Sequence, residues 1–271
     1  MELKVSIATV TYNHEAYLKK TLDSFLAQKT NFQYEIVIGE DCSTDRTRDV
    51  FYKYQNKYPE KIHVITSEKN VGSQKNALRT INACIGKYIA MCEGDDYWTD
   101  PYKLQKQVDF LEENSEYGLI SSDINLIDTD GNLLPDNNMV LKQRANRKPK
   151  VDFFDLLGTN LINTLTVCTR ADLMKELAER VLNENLCFVY DYWFWLNISL
   201  KSKIRISYEK TASYRVHEGD ISHNNKKLSL QSCYIQKDAI ERNAIEAKFG
   251  QAKNGYNLNH IRAKLKETSE S

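Results

Sequence analysis

The chain has 271 residues, of which 41% are hydrophobic and 27% are charged, a composition typical of a globular protein with a sizeable core. Its 37 basic and 37 acidic side chains give a formal net charge of zero, so charge alone does not favour nucleic acid or an anionic membrane as partner. No apolar stretch approaches about 18 residues and the N-terminus begins with a strand pattern, which predicts a cytoplasmic protein without a signal peptide or membrane span.

The strand and helix patterns alternate over the first 110 residues. Strands are predicted at 3–10, 34–39, 62–66 and 87–92, and helices at 15–28, 43–54 and 73–85. This order predicts an α/β fold, a mostly parallel sheet with helices on both faces. Ligands of such sheets bind beyond the carboxyl ends of the strands. We therefore expect one crevice to be bordered by the polar segments 11–13, 40–45, 68–72 and 93–96.

The pattern changes after residue 110. Strands are predicted at 118–123, 124–128, 161–169 and 204–208, and helices at 171–182 and 191–200. Residues 135–150 carry two prolines and five Lys or Arg side chains and are predicted to form a mobile basic loop. Residues 226–271 are polar and mildly basic, and we expect them to be helical.

The cysteines have neither the C-x-x-C spacing of a redox motif nor the paired spacing of a zinc site. We expect free thiols at all six positions, which are Cys42, Cys84, Cys92, Cys168, Cys187 and Cys233.

Three carboxylates occupy four positions after the strand at 87–92, in the sequence Glu93-Gly94-Asp95-Asp96. Such a cluster suits Mg²⁺ or Mn²⁺ shared with a phosphate, although a solvated turn or a helix N-cap before Pro101 is an alternative. Glu93 and Asp95 differ by two residues and point to one side of an extended backbone. Glu93 can then accept hydrogen bonds from a ribose while Asp95 binds the metal, and Asp96 braces the loop or faces an acceptor.

Two other strand ends carry candidate nucleotide-binding residues. Asp41 follows a strand and can accept the imide N–H of uracil, or it can cap the next helix. Tyr12 can stack on the base or simply line the crevice. Asn70 belongs to a polar turn that ends the third strand.

The second half contains a candidate base and a candidate metal ligand. Asp191 is surrounded in the sequence by aromatic residues at the start of a helix, so it is either a general base or an N-cap. Its rivals as the base are Asp155, Asp172 and Glu184. His217 follows a strand and is either a late metal ligand or an ordinary histidine.

Together these segments resemble the family 2 glycosyltransferases of the GT-A fold. The match is carried by 5–13 (first strand and Tyr-Asn), 40–45, Asn70-Val71-Gly72, Asn76-Ala77, 86–89 and 93–96. The resemblance implies inverting sugar transfer from a nucleotide sugar. It implies that Asp41 contacts the nucleobase, Glu93 the ribose and Asp95 the metal-bound diphosphate. It also implies that Asp191 is the base and that His217 closes the donor site.

The sequence departs from the family pattern at three places. Glu40 and Cys42 flank Asp41 where the family usually has Asp and Gly, and Glu93 replaces the commoner first Asp of the metal motif. Tyr190 precedes Asp191 where the family usually has an acid. The Gln-x-x-Arg-Trp motif of processive relatives is missing, which favours transfer of one sugar at a time.

The resulting expectation is a metal-dependent enzyme with a GT-A fold, a Rossmann-like sheet and a smaller acceptor-binding subdomain. It divides the chain into a nucleotide-sugar-binding part (1–110), an acceptor-binding and catalytic part (111–225) and a helical tail (226–271). The donor site comprises Tyr12, Asp41, Asn70, Glu93, Gly94 and Asp95, the metal ligands are Asp95 and His217, and acceptor or loop support comes from Asp96 and Trp98.

The predicted donor is a UDP-sugar, and a hexosyl or N-acetylhexosaminyl group is transferred with Mn²⁺ or Mg²⁺ to a saccharide or lipid-linked saccharide. The tail either packs on the protein or contacts a membrane peripherally. An inactive sugar-nucleotide binder or assembly partner is the alternative. A dinucleotide oxidoreductase and a nucleotidyltransferase are disfavoured, because no glycine follows the first strand in residues 9–14.

Overall fold

A computed structural model describes residues 3–183 and 190–217 of the chain. The strands are β1 (Leu3–Thr11), β2 (Gln33–Glu40), β3 (Ile62–Ile65), β4 (Tyr88–Met91), β5 (Tyr97–Trp98), β6 (Tyr117–Ile127), β7 (Leu133–Leu134), β8 (Lys150–Val151), β9 (Cys168–Arg170) and β10 (Lys203–Arg215). The helices are α1 (Leu18–Leu26), α2 (Thr47–Lys57), α3 (Ser73–Ala83), α4 (Lys103–Glu113), α5 (Asn138–Asn146), α6 (Phe153–Gly158), α7 (Ala171–Asn183) and α8 (Tyr190–Lys201). A short 3₁₀ helix, Thr164–Thr166, precedes β9.

All ten strands of the described ranges belong to one sheet. Eight of them follow the order β3-β2-β1-β4-β9-β6-β10-β5, while β7 pairs with β6 and β8 pairs with β10. Strands β3, β2, β1 and β4 are parallel neighbours. Strand β9 is antiparallel to both β4 and β6, and β10 is parallel to β6. The carboxyl ends of β1, β2, β4, β6 and β10 therefore lie at the same edge of the sheet, which we call the carboxyl edge.

Helices cover both faces of the sheet, as the alternating side chains of the central strands require. In β2, Ile36 and Ile38 pack with α1 and α2, whereas Val37 points to the opposite face and packs with α3 and α7. Each face has its own cluster of buried apolar residues. The α/β architecture predicted from the order of strands and helices is confirmed.

The second half differs from prediction in its strand lengths. Segments 118–123 and 124–128 form one strand, β6, and the predicted strand at 161–169 is reduced to β9 after the 3₁₀ helix. Thr166 explains the shortening, because its Oγ1 bonds to Asn163 O and Ser121 Oγ and accepts from Ser122 N. Such side-chain bonds offer the backbone an alternative to a strand ladder.

The segment 135–150 is not the loop that its composition predicts. It contains α5, whose N-terminus is capped by Asn137 Oδ1, which accepts from Val140 N at 3.0 Å. Arg144 and Arg147 each lie 3.0 Å from the buried carboxylate of Asp123. Residues 226–271, the loop after His217 and the rival base Glu184 lie outside the described residues.

Candidate active site

The polar segments at the carboxyl edge are joined to one another by backbone hydrogen bonds. Asp41 N donates to Thr11 O at 3.1 Å, and Gly94 N donates to Val10 O at 2.9 Å. The loops after β1, β2 and β4 are therefore in direct contact, as the predicted crevice requires.

The loop after β1 is held against the loop after β2 by Asn13. Its backbone lies in the left-handed region with φ 56°, which Asn tolerates better than most residues. Asn13 Oδ1 accepts from Thr44 N at 2.8 Å, and Asn13 N donates to Ser43 Oγ at 3.0 Å. The adjacent Tyr12 is 41% exposed, so it is accessible at the carboxyl edge.

Asp41 is buried and organises the loop that contains Asn70. Its two carboxylate oxygens accept from Val71 N at 2.8 Å and from Gly72 N at 2.9 Å. Gly72 has a φ of +89°, a conformation that a side chain would disfavour, and Asn70 Oδ1 also accepts from Gly72 N. A carboxylate has about four lone-pair sites, so Asp41 can hold this loop and still accept a further donor.

Glu40 has a different role from Asp41, although the two are adjacent. Its side chain is fully buried and pairs with Arg48 Nε at 2.8 Å, and it also accepts from Ser43 N. Glu40, which stands where the family usually has its first Asp, therefore stabilises the loop after β2.

Asp95 is the centre of a carboxylate–imidazole cluster. His217 Nε2 lies 3.0 Å from Asp95 Oδ2, although the two residues are separated by 122 positions. His14 Nε2 lies 3.7 Å from the same oxygen. Burial raises the pKa of Asp95, but the hydrogen bond from His217 and the nearby His14 outweigh it, so the pKa lies below its ordinary value. The carboxylate is thus kept ionised.

His14 was not among the residues selected from the sequence. Its Nδ1 is buried without a hydrogen-bond partner in the described structure, and burial is the main reason that its pKa is lowered. Gly94 allows the close approach, because a Cβ there would lie 2.9 Å from His14 Nδ1 and from the Thr11 side chain. The only sequence signal for His14 is that it directly follows the Tyr-Asn at the end of β1.

Asp96 and Trp98 make contacts that support the loop after β4. Asp96 is buried, and its Oδ1 accepts from Arg215 N at 2.7 Å. Arg215 Nε in turn donates to Asp95 O at 2.9 Å. Trp98 is buried against Phe25, with ring centroids 4.7 Å apart. Glu93 is half-buried and follows β4 directly.

Asp191 lies in the first turn of α8 and is half-buried. Thr164 Oγ1 donates to its Oδ2 at 2.8 Å, and Tyr192 N donates to its Oδ1 at 2.6 Å. Burial raises the pKa of Asp191, and these two hydrogen bonds oppose the rise without cancelling it. A carboxylate with a raised pKa is a better proton acceptor.

The 3₁₀ helix connects Asp191 to the carboxyl edge. Met91 N, at the end of β4, donates to Val167 O at 3.0 Å, and Val167 N donates to Thr164 O at 3.1 Å. Trp98 Nε1 donates to Leu165 O at 2.8 Å. Thr164, which hydrogen-bonds to Asp191, therefore lies at the same edge of the sheet as the loop that carries Asp95.

Comparison with known proteins assigns the family. The profile described as Glycosyl transferase family 2 matches residues 6–176. The chain belongs to glycosyl transferase family 2. The family and the fold class inferred from the motifs are thus confirmed. In this family 2 chain, no described helix has the length and apolar character needed to cross a membrane.

The chain is also similar in sequence to other known proteins. The chain is 32% identical over 220 residues to an uncharacterized protein of Mycobacterium tuberculosis, covering 81% of this chain and 61% of the relative, so it spans about three fifths of that protein's length. It is 29% identical to the UDP-Glc:alpha-D-GlcNAc-diphosphoundecaprenol beta-1,3-glucosyltransferase WfaP of Escherichia coli, covering 89% of this chain and 88% of WfaP.

Two solved structures have the same fold as this family 2 chain. TarS 1–349 of S. aureus, in complex with UDP-GlcNAc, superposes with a TM-score of 0.66 at 20% identity, covering 98% of this chain and 71% of TarS. The mannosyltransferase PcManGT of Pyrobaculum calidifontis, in complex with GDP-Man and Mn²⁺, gives 0.60 at 15% identity, covering 100% and 80%. At these identities the likeness shows the fold alone.

Proposed function

We propose that this chain transfers one sugar from a nucleoside-diphosphate sugar to a hydroxyl group, with inversion of configuration. The observation that carries the proposal is the contact between Asp95 and His217 at 3.0 Å. It joins the loop after β4 to the loop after β10 at the edge where sheets of this kind bind ligands. A purely structural carboxylate does not need two imidazoles beside one oxygen.

The donor would lie across the loops after β1, β2 and β4. The ring of Tyr12 would stack on the base, and Asp41 would accept the imide N–H of uracil while it holds the loop of Asn70. Glu93 would accept from the ribose hydroxyls. Because Gly94 has no side chain, Thr11 and His14 can lie close to the backbone beside Asp95. The diphosphate would bind against these closely packed polar residues. WfaP is named for a UDP-sugar donor, which agrees with a uridine nucleotide.

Asp95 and His217 are the side chains that would hold a divalent metal. No group of three Asp, Glu, His or Cys side chains within 3–183 and 190–217 has the arrangement of a complete metal site. Mg²⁺ and similar ions commonly use one or two protein ligands together with substrate phosphates and water, so an ionised carboxylate and an imidazole fit this requirement. Once bound, the metal would neutralise charge on the departing nucleoside diphosphate.

Asp191 would accept the proton of the attacking hydroxyl. Thr164 and Tyr192 orient its carboxylate, and burial raises its pKa. The acceptor would be a saccharide or a lipid-linked saccharide and the transferred group a hexose or N-acetylhexosamine. WfaP is named for a diphosphoundecaprenol-linked acceptor. A lipid-linked acceptor would bring the protein to the inner face of a membrane.

A panel of nucleoside diphosphates and nucleotide sugars, tested with Mn²⁺ by thermal shift, tests the donor class. A ligand at 100 times its dissociation constant stabilises the folded state by roughly 2.7 kcal/mol, which is readily measured. We expect uridine diphosphate sugars to give the largest metal-dependent shift. No shift with any nucleotide would contradict the proposal.

The Asp41→Ala variant should lose affinity selectively for uridine nucleotides. Loosening of the Asn70 loop would lower the affinity for every nucleoside diphosphate alike. Loss of the uracil contact would lower the affinity only for nucleotides that carry the uracil imide. Asp45→Ala is the matched control, since Asp45 also accepts two backbone amides, Glu15 N and Thr47 N. Isothermal titration with UDP, GDP and ADP measures the difference. An equal loss for all three would remove the base contact from the proposal.

The His217→Ala variant should narrow the advantage of Mn²⁺ over Mg²⁺. Mg²⁺ prefers oxygen ligands throughout, so an imidazole favours Mn²⁺. UDP affinity in each metal is the measurement, with His63→Ala in β3 as the control histidine. An unchanged ratio of the two affinities would show that His217 is not a metal ligand.

A further inference from the structure

We propose that Thr164 is a positioning residue for the catalytic carboxylate, because its hydroxyl donates to Asp191 Oδ2 from a rigid buried support. This inference rests on the proposed role of Asp191 as the base. It adds a residue from a segment that the family motifs at 5–13, 40–45 and 93–96 do not include.

The hydrogen bond itself is well formed. Thr164 Oγ1 lies 2.8 Å from Asp191 Oδ2, within the range of bonds between a hydroxyl and a carboxylate oxygen. Tyr192 N is the second donor, at 2.6 Å from Oδ1. With one donor on each oxygen, rotation of the carboxylate is restricted while further lone pairs stay open to an acceptor proton.

The backbone around Thr164 is fixed by contacts from several parts of the fold. Trp98 Nε1 donates to Leu165 O at 2.8 Å, and Gln107 Nε2 donates to Thr166 O at 2.8 Å. Thr166 Oγ1 bonds to Ser121 Oγ at 2.7 Å. The 3₁₀ helix that carries Thr164 is thus held by β5, α4 and β6.

A buried lysine completes this support. Lys103 is fully buried, and its Nζ donates to Gln107 Oε1 at 2.7 Å. The same ammonium lies 4.1 Å from the Trp98 ring centroid, a favourable cation–π distance. Lys103 thus contacts both side chains that bind the carbonyl oxygens of the 3₁₀ helix.

This arrangement gives Asp191 a fixed position relative to the loop that carries Asp95. Trp98 follows Asp95 by three residues in the chain, and its Nε1 donates to Leu165 O in the 3₁₀ helix. Trp98 therefore links the loop of Asp95 to the 3₁₀ helix. A shift of the 3₁₀ helix would therefore move the base relative to the donor loop. General-base catalysis depends on such placement, because small displacements of a catalytic group reduce rates strongly.

The Thr164→Val variant tests the inference, since valine has nearly the same shape and no hydroxyl. We expect kcat to fall at least about tenfold, as loss of a hydrogen bond to a charged group implies. The KM for the donor should stay near the wild-type value. The acid limb of log kcat against pH should move to higher pH by about one unit, because the lost bond favoured the ionised carboxylate. Among the described residues, burial and hydrogen bonds account for the pKa shift of Asp191, without a charged side chain.

Thr164→Ser is the matched control, and its hydroxyl should restore both kcat and the wild-type acid limb. Titration of the Asp191 carboxyl by ¹³C NMR, assigned with Asp191→Asn, gives a readout that does not depend on turnover. Its pKa should be higher in Thr164→Val than in the wild type. Melting temperature and UDP affinity report whether the variant is folded.

Two results would overturn the inference. Wild-type kcat and an unmoved carboxyl titration in folded Thr164→Val would show that the hydroxyl does not act on Asp191. A fall in kcat with an unmoved titration and acid limb, in both Thr164→Val and Thr164→Ser, would show a merely structural role. If these results occur while Asp191→Asn is inactive, only the role of Thr164 fails. If Asp191→Asn transfers sugar normally, the base assignment itself fails.

Discussion

Replacing Asp191 by asparagine should strongly reduce the rate of sugar transfer while folding and donor binding are retained. Asparagine keeps the size of the side chain and an acceptor oxygen for Tyr192 N, but it cannot take a proton from the acceptor hydroxyl. Loss of a general base typically lowers the rate by about 10²- to 10⁴-fold. We therefore expect kcat to fall in that range and UDP affinity to stay at the wild-type value, measured by a transfer assay and by titration.

The melting temperature distinguishes an Asp191→Asn protein that has lost only its base from one that is inactive because it is destabilised. Burial raises the folded-state pKa of Asp191, so ionisation of this carboxyl lowers stability as pH rises from the unfolded pKa to the folded one. A neutral amide avoids that cost, and the melting temperature above the folded pKa should equal or exceed that of the wild type.

Asp172→Asn is the matched control for Asp191→Asn. Asp172 lies in the first turn of α7 and accepts from the next amide, Leu173 N, at 2.9 Å, as Asp191 does in α8. It was also a rival for the base. Near wild-type transfer by Asp191→Asn, or loss of transfer in Asp172→Asn alone, would contradict the assignment.

The wild-type pH profile follows from the same carboxyl. The base acts only when it is ionised, so kcat should rise with pH through the pKa of Asp191 and then level off. Because burial raises that pKa, the acid limb should lie above the ordinary range of an aspartate. The limb should be absent from the residual activity of Asp191→Asn.

The second large effect is expected at Asp95. Asp95→Asn removes the ionised oxygen that lies 3.0 Å from His217 and 3.7 Å from His14. Metal-dependent affinity for any nucleoside diphosphate should then be lost, whatever its base, because the amide is a much weaker ligand for a hard cation. Titration of UDP with and without Mn²⁺ measures this directly, before any turnover is considered.

Asp109→Asn on the exposed side of α4 is the control for the loss of one negative charge. It should leave the metal dependence of UDP affinity unchanged. If Asp95→Asn retains the metal-dependent part of its UDP affinity, the metal is held elsewhere, and Asp96 becomes the next residue to test.

The sequence predicted the part of the fold that depends on local periodicity. Strands β1 to β4 and helices α1 to α3 follow apolar patterns that need no distant contact. In the second half, β6 was divided in two and the segment 135–150 was predicted as a loop. Arg144 in its helix α5 and Arg147 at the end of that helix form ion pairs with the distant Asp123, which no local pattern reveals.

The sequence predicted the site residues that belong to motifs, but not the residues whose roles depend on contacts formed in the folded chain. Motif resemblance selected Asp95 and His217, and the structure brings them into contact. Motif reasoning could not show that Asp41 holds two backbone amides. It also missed His14 and Thr164, because each acts through a contact with a residue far away in the chain. The roles of Asp41 and Asp191 and the division at residue 110 remain predictions.

The measurement that tests the central claim most directly is metal-dependent turnover of a nucleotide sugar. Wild type, Asp95→Asn and Asp191→Asn would be compared for release of nucleoside diphosphate with a saccharide acceptor and Mn²⁺, and the product anomer would be assigned by NMR. The account predicts metal-dependent release by the wild type, an inverted product, and loss of turnover in both variants. Of the two variants, only Asp191→Asn should retain the metal-dependent UDP affinity of the wild type. Equal turnover by the wild type and Asp95→Asn, or a product with retained configuration, would contradict it.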